Sequence, residues 1–111
     1  PRPARALPQL YTVEPVQDGE REVTLRRAGD LQIVSAMYRI PAAAHPDYPA
    51  LDVLVQALGA APTGRLHRAL VQKGLASSAW AHERMLHDPG YAYFGAALGR
   101  DAPAAPAREA L

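Results

Sequence analysis

The chain has 111 residues, 49% of them hydrophobic but only 6% aromatic, with a formal net charge of +1. That is one small domain's worth of chain, able to bury ~65% of its unfolded surface with Ala, Leu and Val doing most of the packing. A near-balanced charge gives no pull toward nucleic acid or an anionic membrane. The absence of cysteine excludes disulfides and thiolate metal sites and leaves the redox compartment unreadable.

Residues 1–19 carry Pro1, Pro3, Pro8 and Pro15 without a repeating PxxP array, and read as an extended linker or arm. Residues 20–111 hold the periodic segments. From Glu22 to Arg27 the pattern alternates, with Val23 and Leu25 on one side and Thr24 and Arg26 on the other. Ala28-Gly29-Asp30 is a turn signal, and Leu31–Ile40 is a second, more apolar run ending at Pro41. Together they predict an antiparallel hairpin. The second run is apolar at nearly every position after Gln32, which predicts a central strand covered on both faces.

Asp47–Gly59 then reads as a helix. Leu51, Leu54, Val55 and Leu58 recur at i, i+3, i+4 and i+7, with Asp47 as a capping acceptor, Pro49 in the first turn and Gly59 as the stop. A second helix is expected over Thr63–Gly74, capped by Thr63, with Leu66, Ala69 and Leu70 inward. Lys73 lies in its last turn, where a cation meets the negative end of the helix dipole, and Leu75 is placed to fold back on Leu70 or Val71. Leu75–Met85 is a third strand with Trp80, Asp88-Pro89-Gly90 a turn, and Tyr91–Leu98 a fourth strand in which Gly95 marks a bulge or a close approach. Ala107–Leu111 reads as the start of a helix, truncated at the end of the chain. The order β-β-α-α-β-β-α predicts an α+β fold, an antiparallel sheet with a helical pair on one face. Pro1 at the start and the helix cut short at Leu111 read as an excerpt of a longer protein. No apolar run approaches the ~20 residues of a membrane span, and no signal peptide is visible.

Little in the chain is arranged for chemistry of its own. His82 and His87 are five apart, ~140° around a helix, and an odd spacing puts them on opposite faces of a strand. Helical zinc motifs need imidazoles that share a face, so the pair reads as exposed histidines near a turn. His45 and His67 lack a second ligand within a turn and read as solvated surface. Ser35, Ser77 and Ser78 lack a nucleophile-elbow context. Gly59–Gly64 (GAAPTG) has no following Lys-Ser/Thr, and Pro62 removes an amide, so it reads as an inter-helix loop and not a phosphate cradle.

The joint order of HPDYPALDVLVQALG, TGRLHRALVQKG and GLASSAW resembles the second half-domain of the pitrilysin/insulinase family of zinc metallopeptidases, the inverzincins, from about Tyr11 to Leu111. The resemblance implies a partial peptidase-like half-domain over residues 20–111, joined to a first half by an arm over residues 1–19. It implies the non-catalytic, substrate-enclosing half of a metalloendopeptidase. The zinc and the glutamate base would lie in the other half, on the same chain or on a partner subunit, and this segment would have no cofactor of its own. Its partners would be a peptide or protein substrate and that zinc-bearing half.

In that family the second half contributes an arginine and a tyrosine around a K-R-G-L-A-Y motif, which hold the peptide carbonyl and the developing oxyanion. This chain reads QKGLASS, so Lys73 stands near the arginine's place and Ser77 at the tyrosine's. Those two are the candidate substrate-binding residues; none is catalytic and none binds metal. The missing phenol keeps a second reading open: a catalytically dead assembly subunit, as the family supplies to the respiratory cytochrome bc complex. An unrelated two-layer binding module is a third. Eleven arginines against one lysine associate with a GC-rich bacterial genome, and the periplasm and the cytoplasm both stay open.

Overall fold

A computed structural model describes residues 15–111. Most of the expected proline-rich arm therefore lies outside the described residues, and its last part, residues 15–19, is exposed. Three strands, β1 (Leu31–Ile40), β2 (Ser78–Arg84) and β3 (Gly90–Gly99), form one antiparallel sheet in the order β1-β3-β2. Helix α1 (Tyr48–Gly59), a five-residue π-helical segment (His67–Val71) and helix α2 (Ala104–Ala110) complete the described elements. The α+β class holds, with the helices against one face of the sheet.

Strand alternation divides the side chains. On β3, Ala92, Ala96 and Leu98 face the helices and are buried. Ala96 and Leu98 pack with Leu66 and Leu70 of the helical turn and Ala107 of α2. Ala92 packs with Ile40, Tyr48 and Val55 at the other end. Small side chains on the central strand let the helices approach closely, and leucines from above fill the space.

The hairpin expected at the N-terminal side is not formed. Residues 22–27 have no strand pairing, and Val23 and Leu25 remain 79% exposed. Four alternating residues between Glu20, Arg21, Arg26 and Arg27 bury too little apolar surface to offset the entropy of ordering them. The segment is instead tied by ion pairs: Arg108 of α2 donates two hydrogen bonds to Glu22, at 2.6 and 2.7 Å, and Arg100 donates to Asp30 at 2.8 Å. The Glu22 carboxylate, through its hydrogen bond first and its charge second, raises the Arg108 pKa further above its ordinary value.

The central strand is also a different one from that expected. β3 lies in the middle and β1 at an edge, so Leu31, Ile33 and Met37 stay 57–60% exposed on the face away from the helices. A continuous apolar run signals demand for burial on both sides without specifying which strand occupies the middle.

The helices follow the expected positions with local differences. Tyr48, Leu51, Val55 and Leu58 face the sheet, whereas Leu54 is 51% exposed. At ~100° per residue Leu54 falls about 80° from the centre of that stripe, because Tyr48 draws the buried face toward itself. Asp47 occupies the N-cap position but makes no side-chain cap bond. Its backbone N–H donates to His45 Nδ1 at 3.2 Å instead. The second helix is shorter and wider than expected: its helical residues begin at Arg65, and Gly64, whose carbonyl accepts from Arg68 N–H at 3.2 Å, stands where Thr63 was expected as the cap. Its hydrogen bonding runs five residues back, as in Gln72 N–H to the His67 carbonyl at 3.0 Å.

Candidate functional site

The two residues singled out by the family motif lie on either side of one turn, where the helical segment hands over to β2. Gly74 has φ +71°, a left-handed conformation that a side chain would strain. The N–H groups of Leu75 and Ala76 both return to the Leu70 carbonyl, at 2.8 and 3.1 Å, and Gly74 N–H bonds the Val71 carbonyl at 3.0 Å. This glycine-terminated helix end satisfies the last carbonyls. It also brings Leu75 back against the cluster that contains Leu70, as its position after Gly74 predicts.

Lys73 is exposed on the last turn before Gly74. Ser77 is fixed at the start of β2, where its backbone N–H and its hydroxyl both donate to the Ala97 carbonyl, at 2.8 and 2.9 Å. The side chain at the tyrosine's position therefore anchors the end of the strand. A hydroxyl oxygen that donates still keeps lone pairs with which to accept.

The histidines do not converge. His82 is exposed on β2, and His87 lies beyond that strand's end with its Nδ1 3.4 Å from Asp88 Oδ1. His45 pairs locally with Asp47, and His67 opens the π-helical segment. Among the described residues no three of His, Asp and Glu gather in a metal-binding group. The GAAPTG stretch forms the connection between the helical segments, with a cis Ala61–Pro62 bond and Gly64 N–H donating to the Ala60 carbonyl.

A second feature, on the sheet face turned away from the helices, was not singled out from the sequence. Trp80 lies over Gly95 so closely that a Cβ added there would stand 2.5 Å from the indole, and its ring centroid is 6.4 Å from that of Tyr93. The ladder runs in register through Gly95 on both sides, so the glycine marks a close approach and not a bulge. Beyond the indole, His82 is opposite Tyr93 and Arg84 opposite Tyr91. With Glu83 these residues line an open concavity of about 440 Å³. The alternation Trp80-x-His82-x-Arg84 was the available signal, and it acquires meaning only once the partner strand supplies its tyrosines.

The described residues form a two-layer domain with a helix–glycine–strand turn at one end. Over residues 1–111 it matches the family described as the peptidase M16 inactive domain, and the chain belongs to that family. A curated relative, the zinc protease PqqE of Helicobacter pylori, is 40% identical over 86 residues, which cover 76% of this chain and 19% of that protein. Among solved structures, the inactive peptidase domain of a candidate zinc protease from Bordetella parapertussis is 43% identical with a TM-score of 0.70. That match covers 79% of this chain and 48% of the other. A candidate zinc protease from Bordetella pertussis is 38% identical with a TM-score of 0.69, covering 74% of this chain and 46% of that one. The chain thus spans about a fifth of the curated relative's length and about half of each Bordetella chain.

Proposed function

We propose that this chain is the non-catalytic half of a zinc metalloendopeptidase, enclosing a peptide against a zinc-bearing half on the same polypeptide or a partner subunit. The observation that carries this reading is the match of the whole chain to an inactive peptidase domain. On this reading residues 20–111 belong to that half, and residues 1–19 form the arm leading into it. The zinc would supply the activated water and the Lewis acid from the other half. This chain would wall the cavity, exclude water and present the Gly74 turn to the substrate.

Lys73 then offers its ammonium to a peptide carbonyl, and Ser77, already donating to Ala97, accepts from a substrate N–H. A lysine is a flexible point charge without the fixed fork of an arginine, so its help in positioning is modest. In the parent protein Lys73→Ala is expected to lower kcat/KM several-fold, less than the ~3–4 kcal/mol that a buried oxyanion donor contributes. Rates are to be compared at matched stability. An unchanged kcat/KM in an active parent would remove Lys73 from the substrate contact. Ser77, standing where the family has a phenol, favours one other reading: a catalytically inactive assembly subunit. A parent or neighbouring subunit without H-x-x-E-H and without peptidase activity would establish that reading instead.

A further inference from the structure

We propose that the free edge of β2, together with the uncovered face beside it, binds an extended peptide segment whose carboxylate side chains lie against Arg84 and His82. This rests on the reading of the chain as a wall of a peptide-binding cavity, and names the class of peptide that the wall prefers.

β2 pairs only with β3, so along its outer side the backbone groups that point away from β3 have no strand partner among the described residues. At the other edge strand, β1, Arg39 donates to the Pro15 carbonyl at 2.9 Å. An added strand gains its affinity from main-chain hydrogen bonds and its specificity from alternate side chains.

Among those alternate positions Arg84 carries the formal charge, which is positive, and His82 adds a polar ring. Trp80, His82 and Arg84 share the uncovered face at i, i+2 and i+4, so they recur with the same repeat as the side chains of an extended peptide. The β3 residues opposite them are Gly95, Tyr93 and Tyr91, an apolar and phenolic floor without a carboxylate. Glu83 contributes to the concavity from the other side of the pleat, where its charge acts on Tyr48. Arg84 is exposed and makes no ion pair among the described residues. A peptide with acidic residues at alternate positions would place one carboxylate beside Arg84 and another beside His82, while an apolar residue two positions further on would meet the indole over Gly95.

The test uses the 111-residue chain and labelled seven-residue peptides, the length of β2, read by fluorescence anisotropy. One peptide carries glutamate at every second residue, one has glutamine in its place, and two are the glutamate peptide N-methylated on alternate amides, one in each register. The glutamate peptide should bind about two- to five-fold more tightly than the glutamine peptide, the range open to an exposed charge pair, and the gap should narrow in high salt. Arg84→Gln should erase the preference, and Arg68→Gln, on the helical segment, should leave it intact. N-methylation of the amides that face β2 should abolish binding. Equal binding of the glutamate and glutamine peptides, equal effects of the two arginine substitutions, or full binding by peptides methylated in either register would overturn the proposal. Those outcomes concern the edge alone; the wider reading of this chain stands or falls separately, on peptide hydrolysis by the parent protein.

Discussion

The two faces of the sheet are built from similar amounts of apolar side chain and have opposite fates. Toward the helices, Ala92, Ala96 and Leu98 are buried beneath Val55, Leu66 and Leu70. On the other face, Leu31, Ile33 and Met37 stay exposed, and the indole of Trp80 lies over Gly95 of the neighbouring strand. Hydrophobicity alone does not decide which face is covered. What decides it is where the connections place the helices, and both α1 and the π-helical segment, which join β1 to β2, lie on one side. Stability is therefore concentrated on one face, and substitutions on the two should separate cleanly.

The largest separation is expected between two leucines. Leu70 is fully buried at the centre of the larger cluster, whereas Leu54 faces outward from α1. Leu70→Ala should cost ~2–5 kcal/mol, since it removes transfer free energy and leaves a cavity. Leu54→Ala should fall within about ±0.5 kcal/mol. Urea melts of the two variants decide the matter, and equal losses would mean that the outer face of α1 is covered in solution.

On the open face, Gly95→Ala is the sharper probe. Its Cβ would meet the Trp80 indole at 2.5 Å, against a rigid ring held by the strand. Displacing the ring should cost ~1–3 kcal/mol, the usual range for overpacking. Trp80 is the only tryptophan of the chain, so its emission should shift to the red as the indole lifts into water. Unchanged emission would mean that the ring does not rest on Gly95.

Much of this arrangement was legible in the residues. The position of α1, the Asp88-Pro89-Gly90 turn joining β2 to β3, the Gly74 helix end with Leu75 folded beneath it, and the helices on one face all follow from local signals, whereas α2 begins at Ala104, three residues before the expected Ala107. The misreadings share a cause. Val23 and Leu25 alternate as a strand does, and Leu31–Ile40 is apolar as a central strand is, but strand order is set by pairing partners distant in the chain, which short-range patterns do not encode. Leu54 fits a helical stripe on spacing alone, and only the burial of Tyr48 rotates that stripe away from it. The family motif singled out Lys73 and Ser77. It could not tell that the Ser77 hydroxyl is engaged by Ala97, because Ala97 is twenty residues away.

Ser77→Ala tests that engagement. The hydroxyl bond to the Ala97 carbonyl is part-buried, and the Ser77 backbone N–H serves the same acceptor. Its loss should therefore cost ~0.5–1.5 kcal/mol, the net value of one hydrogen bond. Hydrogen exchange at the start of β2 should speed up while the far end, near Arg84, stays unchanged. Uniform acceleration along β2 would mean that the hydroxyl does not anchor that end.

The smallest expected effect lies at the other end of the covered face, where Tyr48 caps the second cluster beside charge. Burial, then the negative charges of Glu83 and Asp52, raises its phenol pKa above the ordinary value of 10.0. The folded state therefore holds this proton after the unfolded chain has released it. The stabilisation is fully present below the unfolded value and is lost as pH rises through the folded one. Tyr48→Phe removes the titrating group and keeps the ring, so its urea midpoint should fall less than that of the unsubstituted chain between about pH 8 and about pH 11. The other tyrosines titrate in both proteins and cancel in the difference. Two curves of equal slope would show that the Tyr48 hydroxyl is as well solvated in the fold as outside it. The covered face would then end at Val55 and Ala92.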